Sequence, residues 1–215
     1  MKKLLCMLLC VFSLAGCVGR SDAYKFKSEY ESLNGKENDK GRDYVEISID
    51  VDNPMVYADV DTILEVIDGN GIIYFGFAEC PWCRNALPVL LEAAKEQNVE
   101  EIYYYDIQDI RDTLELVDGK INVVKEKADD YKKIYDALYD SLNVYEGLND
   151  NSIKRLYAPT VVFVKYGKVV GLHESTVESH VDSSVPMTDS QRKELKNIYL
   201  EGIKEVQKTV CDTKC

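Results

Sequence analysis

Two cysteines separated by two residues, in Cys80-Pro81-Trp82-Cys83, constrain this chain more than any other feature. The apolar run 72–77 before them predicts a buried strand, and residues 84–96 after them predict a helix. Cys80 therefore lies where unpaired N–H groups at the start of a helix point outward, and the helix dipole there favours a thiolate. Because the thiolate attacks disulfides, we expect Cys80 to be a nucleophile and Cys83 to release the product.

The pair has two alternative interpretations. Cys80 and Cys83 could form a purely structural disulfide, or they could contribute to a metal site. Zinc prefers four ligands, and the two histidines, His173 and His180, are not spaced to complete such a set. We therefore predict no metal site, and we expect both histidines to lie on the surface.

The first 16 residues have the pattern of a secretory signal. Lys2 and Lys3 precede an apolar run over 4–15 that is interrupted only by Ser13 and is too short to span a bilayer comfortably. The sequence Leu14-Ala15-Gly16-Cys17 resembles the bacterial lipobox, which implies cleavage before Cys17 and a diacylglycerol anchor on its sulfur. Lipidation would hold the protein at the outer face of the cell membrane. The alternative is an ordinary signal peptide with an incidental cysteine.

The charge of the chain limits its partners. A formal net charge of −12, from 26 basic and 38 acidic residues, argues against nucleic acid and anionic lipid headgroups as partners.

An exported chain meets oxidising surroundings, in which disulfides persist. Cys211 and Cys215, in the tail 211–215, could therefore close a small disulfide loop or act as a second electron-relay pair.

The rest of the chain divides at about residue 44. Residues 17–43 are mostly polar and are predicted to be a tether, although Tyr24, Phe26 and Tyr30 offer an alternative in which part of it packs on the domain as a short helix. Residues 44–210 are predicted to form one domain. Its predicted strands cover 44–49, 72–77, 101–107, 160–164 and 169–172, and its other predicted helices cover 59–67, 129–142 and 191–208.

Two landmarks carry a family resemblance. Phe77 to Cys83 reads F-A-E-C-P-W-C, and Tyr157-Ala158-Pro159-Thr160 directly precedes a predicted strand. With the order of elements over 44–208, they resemble the thioredoxin superfamily. The resemblance implies an α/β fold, in which a central mixed sheet is flanked by helices and a helical insertion at about 108–156 precedes the strand that follows a cis-proline.

The same resemblance implies roles for individual residues. Pro159 would be cis and face the cysteine pair, and the backbone of Ala158 would pair with an extended substrate chain. The residues themselves leave two roles open for Trp82, which would either pack on the rim of the site or make an apolar contact with substrate peptides. Arg84, in the first helical turn, is expected to be a solvated surface residue, and the alternative is that it offsets the charge of Glu79. No cofactor is implied, because electrons pass through protein thiols.

The expected function is an extracytoplasmic, membrane-anchored thiol–disulfide oxidoreductase. Its partners would be protein thiols and disulfides, together with a membrane redox partner. Because it is exported, the protein resembles the thioredoxin-like lipoproteins and bacteriocin-transport-accessory-like proteins of Gram-positive bacteria. The chain departs from thioredoxin at two positions: Tyr74 stands where thioredoxin keeps a buried acid, and Pro-Trp separates the cysteines. The direction of electron transfer therefore stays open, and the protein could either oxidise or reduce its substrates. The alternative is a non-catalytic accessory or binding lipoprotein that uses the same scaffold for peptide or bacteriocin export.

Overall fold

The structure is a computed structural model that describes residues 22–208. The predicted signal sequence 1–16, the predicted lipidation site Cys17 and the cysteines Cys211 and Cys215 lie outside the described residues.

The described chain alternates strands and helices in the order expected for an α/β domain. The helices are α1 (22–31), α2 (Val60–Asp68), α3 (Pro81–Glu96), α4 (Asp129–Leu138) and α5 (Asp189–Gln207). The strands are β1 (Met55–Tyr57), β2 (Gly71–Gly76), β3 (Ile102–Asp106), β4 (Thr113–Val117), β5 (Lys120–Lys125), β6 (Asn143–Val144), β7 (Lys154–Arg155), β8 (Thr160–Lys165) and β9 (Lys168–Glu174).

Five strands form a central mixed sheet in the order β1-β3-β2-β8-β9. The first three run parallel, as expected for strands that are joined by helical crossovers. β8 pairs antiparallel with β2, and β9 returns antiparallel beside β8 as a hairpin. The predicted thioredoxin fold is confirmed by this central mixed sheet and its flanking helices.

Both faces of the sheet are covered, and the central strand shows why its sequence is continuously apolar. Along β2, Ile72 and Tyr74 face a core shared with α1, α3 and α5, whereas Ile73 and Phe75 face a second core shared with α2 and α4. Side chains alternate between the faces of a strand, so a strand buried on both sides has no polar position. β2 therefore holds the loop before Cys80 rigidly at its carboxyl end.

The structure differs from the predicted tether over residues 22–43. Residues 22–31 form α1, and its side chains Phe26 and Tyr30 are fully buried in the core, whereas Tyr24 is exposed. Phe26 packs edge-on against Tyr104 of β3 with ring centroids 4.8 Å apart. Burial of two aromatic rings outweighs the polarity of the segment, so the domain begins at least as early as residue 22.

The strand predicted over 44–49 is not formed, although its alternation is real. Ile47 and Ile49 are buried while Glu46 and Ser48 are exposed. No strand pairs with this segment. Side chains form hydrogen bonds with its backbone N–H and C=O groups instead. Asn34 accepts from Ile47 N at 3.1 Å and donates to Ile47 O at 2.7 Å. The alternation alone could not distinguish a strand from this arrangement.

The insertion between β3 and β8 contains the predicted helix and more. α4 packs on α2, and a short 3-10 turn (Tyr139–Ser141) continues it. The same insertion also contains two small antiparallel pairs, β4 with β5 and β6 with β7, which the sequence analysis missed. The β4–β5 hairpin stands out from the domain, and Val117, Val123 and Val124 on it are exposed.

Candidate active site

Cys80 lies at the N-cap of α3, and its sulfur is the centre of the site. Its backbone is extended, which lets the side chain fold back so that Sγ accepts a hydrogen bond from Cys83 N at 3.2 Å. The Cys80 thiol also donates to Ala158 O at 3.4 Å. Only 4% of the residue is exposed, and the residues on either side, Glu79 and Pro81, are exposed. The sulfur therefore lies just below the surface, at the positive end of a helix dipole.

Cys83 lies deeper, one turn into the same helix, and is fully buried. Both cysteines are present as free thiols. Burial is the main cause that raises the pKa of Cys83 well above its ordinary value, and the neighbouring Cys80 raises it further. Hydrogen bonds from the Phe77 backbone and from Tyr74 act in the opposite direction. The two thiols are thus unequal, since one is next to solvent and the other is kept protonated beneath it.

The structure brings the segment 157–160 against this pair. The Ala158–Pro159 peptide bond is cis, and Ala158 O is the group that the Cys80 thiol contacts. Two hydrogen bonds fix the turn: Thr160 Oγ1 donates to Tyr157 O at 2.8 Å, and Ser175 N donates to Pro159 O at 2.8 Å. The start of β8, next to the central strand, therefore places Ala158 and Pro159 beside Cys80.

Trp82 is half-buried, and its ring packs on a histidine. The rings of Trp82 and His180 meet edge-on with centroids 5.4 Å apart. The prediction of a surface position for His180 is wrong, since only 6% of it is exposed. Its ring nitrogens are held by Thr176 Oγ1 at 2.9 Å and Val185 O at 2.8 Å. The Val185 carbonyl can only accept, so Nε2 carries a proton.

His173 is also not a surface residue. It is half-buried, its Nε2 lies 2.9 Å from Thr176 O, and its ring meets that of Tyr199 edge-on. Burial lowers its pKa, and the bond to Thr176 partly opposes this. His173 in β9 and His180 in the segment that follows it are thus packing and hydrogen-bonding residues.

Arg84 is the largest departure from expectation, because it was predicted to be solvated and is only 1% exposed. Its guanidinium donates to Val45 O at 2.6 Å, Tyr30 O at 2.8 Å and Asn34 Oδ1 at 2.7 Å, with a longer bond to Ala78 O at 3.3 Å. A buried arginine satisfied by neutral oxygens joins the start of α3 to the N-terminal segment. Its three short hydrogen bonds reach distant parts of the chain, so no local pattern could have revealed its burial.

Asn85 is a second residue that the sequence analysis missed. Its amide donates to Pro81 O at 3.1 Å and to Ser183 O at 3.0 Å, and its oxygen accepts from Met187 N at 3.2 Å. This side chain anchors the loop before α5 to the first turn of α3. Ser183 and Ser184 of this loop line a groove together with the segment 38–45, Glu79 and Pro81.

The described residues contain neither a metal cluster nor a membrane span. Within 22–208, no three His, Cys, Asp or Glu side chains come together as metal ligands would. Over the same residues, no helix is both long enough and apolar enough to cross a bilayer.

Comparisons with known proteins give similarities to solved structures. No protein-family model matches the sequence, and no curated protein matches it. Among solved structures, the chain is similar to that of thioredoxin O2 from Arabidopsis thaliana in the oxidised state, with 16% identity and a TM-score of 0.34. The match covers 68% of this chain and 96% of that one. At this level of similarity, the argument for function rests on the site itself.

Proposed function

We propose that this protein is a thiol–disulfide oxidoreductase that acts on protein disulfides through Cys80 and Cys83. The observation that carries the proposal is the environment of the Cys80 sulfur. It lies at the N-cap of α3, 3.2 Å from Cys83 N and 3.4 Å from Ala158 O, next to cis-Pro159. A backbone N–H and a helix dipole both favour negative charge on this sulfur.

The chemistry needs only the two thiols and a substrate disulfide. The Cys80 thiolate attacks one sulfur of the substrate, forms a mixed disulfide and expels the other sulfur as a thiolate that takes up a proton. Cys83, after losing its proton, attacks the Cys80 sulfur, closes the Cys80–Cys83 disulfide and releases the second substrate thiol. Two electrons thus pass to the substrate, and the reverse sequence oxidises a dithiol.

The surroundings of the pair favour an extended peptide as the substrate. Ala158 offers backbone next to the reactive sulfur, and Trp82 exposes part of its ring on the rim. The groove beside Glu79 and Pro81 gives the peptide a path away from the sulfur. We propose that Ala158 and Pro159 align the substrate backbone and that Trp82 contacts its side chains.

Reduction of insulin by dithiothreitol tests this proposal. The wild-type chain should accelerate insulin precipitation, and Cys80→Ser should reduce the rate to that of dithiothreitol alone. Cys83→Ser should accumulate a mixed disulfide with insulin, because the releasing thiol is missing. Cys211→Ser, which removes a cysteine outside the motif, is the matched control and should retain the wild-type rate. Equal rates for wild type and Cys80→Ser would refute the proposal and favour the non-catalytic accessory role.

We propose further that Cys17 anchors the protein at the outer face of a bacterial membrane. The support is the Leu14-Ala15-Gly16-Cys17 sequence after a short apolar run. Metabolic labelling with a palmitate analogue in a bacterial host should mark the wild type but not Cys17→Ser. Labelling of both chains, or of neither, would contradict this anchor and leave the redox proposal unaffected.

A further inference from the structure

The groove that includes Glu79 and Pro81 is built partly by the N-terminal segment of the domain. Residues 38–40 and 42–45 contribute to its lining, together with Phe77, Gln108, Ser183 and Ser184. Its volume is about 530 Å³, within the range of about 300–1,000 Å³ that is typical of ligand-binding clefts. Because Glu79 and Pro81 flank Cys80 in the sequence, the groove is continuous with the surface around the reactive sulfur.

The N-terminal part of this lining is a closed turn over residues 36–44, called here the 36–44 turn. At its tip, Asn38 Oδ1 accepts from Lys40 N at 2.9 Å and from Arg42 N at 3.1 Å, and Asn38 N donates to Arg42 O at 2.8 Å. At its base, Tyr44 N donates to Lys36 O at 3.0 Å. These hydrogen bonds fix the turn before any substrate arrives, so binding there does not have to order it.

Two consecutive residues of α3 hold different parts of the groove lining in place. Arg84 donates to Val45 O at 2.6 Å, and its guanidinium carbon lies 5.5 Å from the centre of the Tyr44 ring. Asn85 donates to Ser183 O at 3.0 Å. Since both residues follow the cysteine pair in the sequence, the helix that carries this pair also sets the position of the groove relative to it.

The groove carries charge that the protein itself does not neutralise. Five charged side chains line it, and all five are exposed: Asp39, Lys40, Arg42, Asp43 and Glu79. Within the described residues 22–208, none of the five forms an ion pair within 4.0 Å with another side chain. Charges of this kind interact with the charges of a partner and give specificity more than affinity. Since three of the five are acidic and Glu79 directly precedes Cys80, the groove favours a partner with positive charge close to its own cysteine.

We propose that the 36–44 turn is a specificity element that binds the polypeptide next to the substrate's cysteine and selects extended segments with a basic residue beside that cysteine. The inference rests on the proposed function and names the substrate class of that reaction. The turn takes no part in making or breaking bonds. A small disulfide reaches the Cys80 sulfur but does not extend into the groove, whereas a polypeptide does both. Residues 36–43 lie before the segment that resembles thioredoxin, so the resemblance gives no indication of this surface.

Three disulfides with one leaving group test the inference. Each joins thionitrobenzoate to a second thiol, which is 2-mercaptoethanol, a short peptide with one cysteine between two lysines, or the same peptide with two glutamates instead. The Cys80 thiolate forms a bond to the sulfur of the second thiol, the original disulfide bond breaks, and its electron pair leaves on the coloured thionitrobenzoate anion. Absorbance gives the rate constant for each substrate with the reduced full-length chain, after subtraction of the rate for Cys80→Ser.

The wild type should react about tenfold faster with the lysine peptide than with the glutamate peptide. Asp39→Asn combined with Glu79→Gln should reduce that ratio about fivefold, because two exposed charges are lost. Glu115→Gln combined with Asp118→Asn is the matched control, since it removes two exposed acids outside the groove and should keep the wild-type ratio. Tyr44→Ala should lower both peptide rates about fivefold relative to the 2-mercaptoethanol rate, because part of the lining is removed.

The possible outcomes separate this inference from the proposed function. If the wild type reacts with all three substrates no faster than Cys80→Ser, the proposed function fails. If Cys80 reacts but the groove variants keep the wild-type ratios, the inference is overturned and the redox function stands. An equal change of the ratio in the control pair would overturn it in the same way, because the selection would then come from the net charge of the chain.

Amide hydrogen exchange decides the inference without any rate of reaction. Cys83→Ser is trapped as a mixed disulfide, either with the lysine peptide or with 2-mercaptoethanol. Exchange of the Lys40 and Arg42 amides should be slower in the peptide complex than in the 2-mercaptoethanol complex. Equal exchange in the two complexes would show that the peptide does not lie against the 36–44 turn, and this result does not depend on whether Tyr44→Ala folds.

Discussion

Arg84 offers the sharpest test of how the site is held to the rest of the domain. Arg84→Met keeps an unbranched apolar stem of similar length but removes the guanidinium. The substitution removes the guanidinium donor from Val45 O, Tyr30 O and Asn34 Oδ1, and from the more distant Ala78 O. Asn34 Oδ1 still accepts from Ile47 N, and Tyr30 O from Leu33 N. These acceptors belong to α1, the following turn and the irregular segment 44–49, so the loss should concentrate there.

The magnitude follows from these contacts. Each short hydrogen bond contributes about 1 kcal/mol net, and a buried acceptor left without a partner costs about 1–3 kcal/mol. Removing a buried charge that has no carboxylate partner recovers part of this cost. We therefore expect Arg84→Met to lower the free energy of unfolding by about 3 kcal/mol.

Urea denaturation measures the total, and amide hydrogen exchange locates it. The Ile47 and Ile49 amides, which donate to Asn34 and Glu31, should lose protection in Arg84→Met. Arg192→Met is the matched control, because that arginine pairs with Glu92 at the surface and should change stability by about 0.5 kcal/mol or less. A stability within about 0.5 kcal/mol of wild type for Arg84→Met would refute the role assigned to the guanidinium.

Three further predictions follow from other parts of the fold. Gly202→Ala should lower the unfolding free energy by about 2 kcal/mol in urea, since its Cβ would lie 2.4 Å from the Phe163 ring, and an unchanged midpoint would contradict that packing. Wild type should lose stability as the pH falls below 6.5, because burial lowers the pKa of His173 and the unfolded chain binds its proton first. His173→Gln should flatten that part of the stability–pH curve, and an identical slope would exclude the histidine as its cause. A chain that begins at residue 44 should lose cooperative unfolding by circular dichroism, whereas one that begins at residue 18 should retain it.

The sequence predicted those parts of the site that depend on local signals. Three such signals each span only a few residues of sequence: the apolar run of β2, the cysteine spacing and the proline before β8. The structure brings together the residues that they mark, which are Cys80, Cys83, Trp82, Ala158 and Pro159. The burial of Arg84 and His180 could not be predicted in the same way. Arg84 meets Tyr30, and His180 packs on Trp82, only after the chain folds, since these partners lie far away in the sequence.

The missed strand at 44–49 has a related physical cause. Alternating burial requires only that one side of an extended chain faces the core. A strand also requires a neighbour with free backbone groups, and this neighbour is absent along 44–49, where side chains from α1 and the following turn supply the partners. The alternation of apolar residues predicts which side chains are buried, whereas strand pairing depends on the topology of the fold. At the edge of a domain, a segment can therefore show the alternation without pairing as a strand.

The N-terminal segment therefore belongs to the domain and to its site. Phe26 and Tyr30 are fully buried, and full burial of an apolar side chain of this size stabilises by about 1.5–3 kcal/mol. Two such rings contribute about 3–6 kcal/mol, which is a large share of the net stability of a typical domain, about 5–15 kcal/mol. Without α1, the Arg84 guanidinium would lose Tyr30 O, and the Tyr74 hydroxyl would lose its hydrogen-bond partner. A segment that looks like a tether by composition thus supports both the core and the start of the helix that carries the cysteine pair.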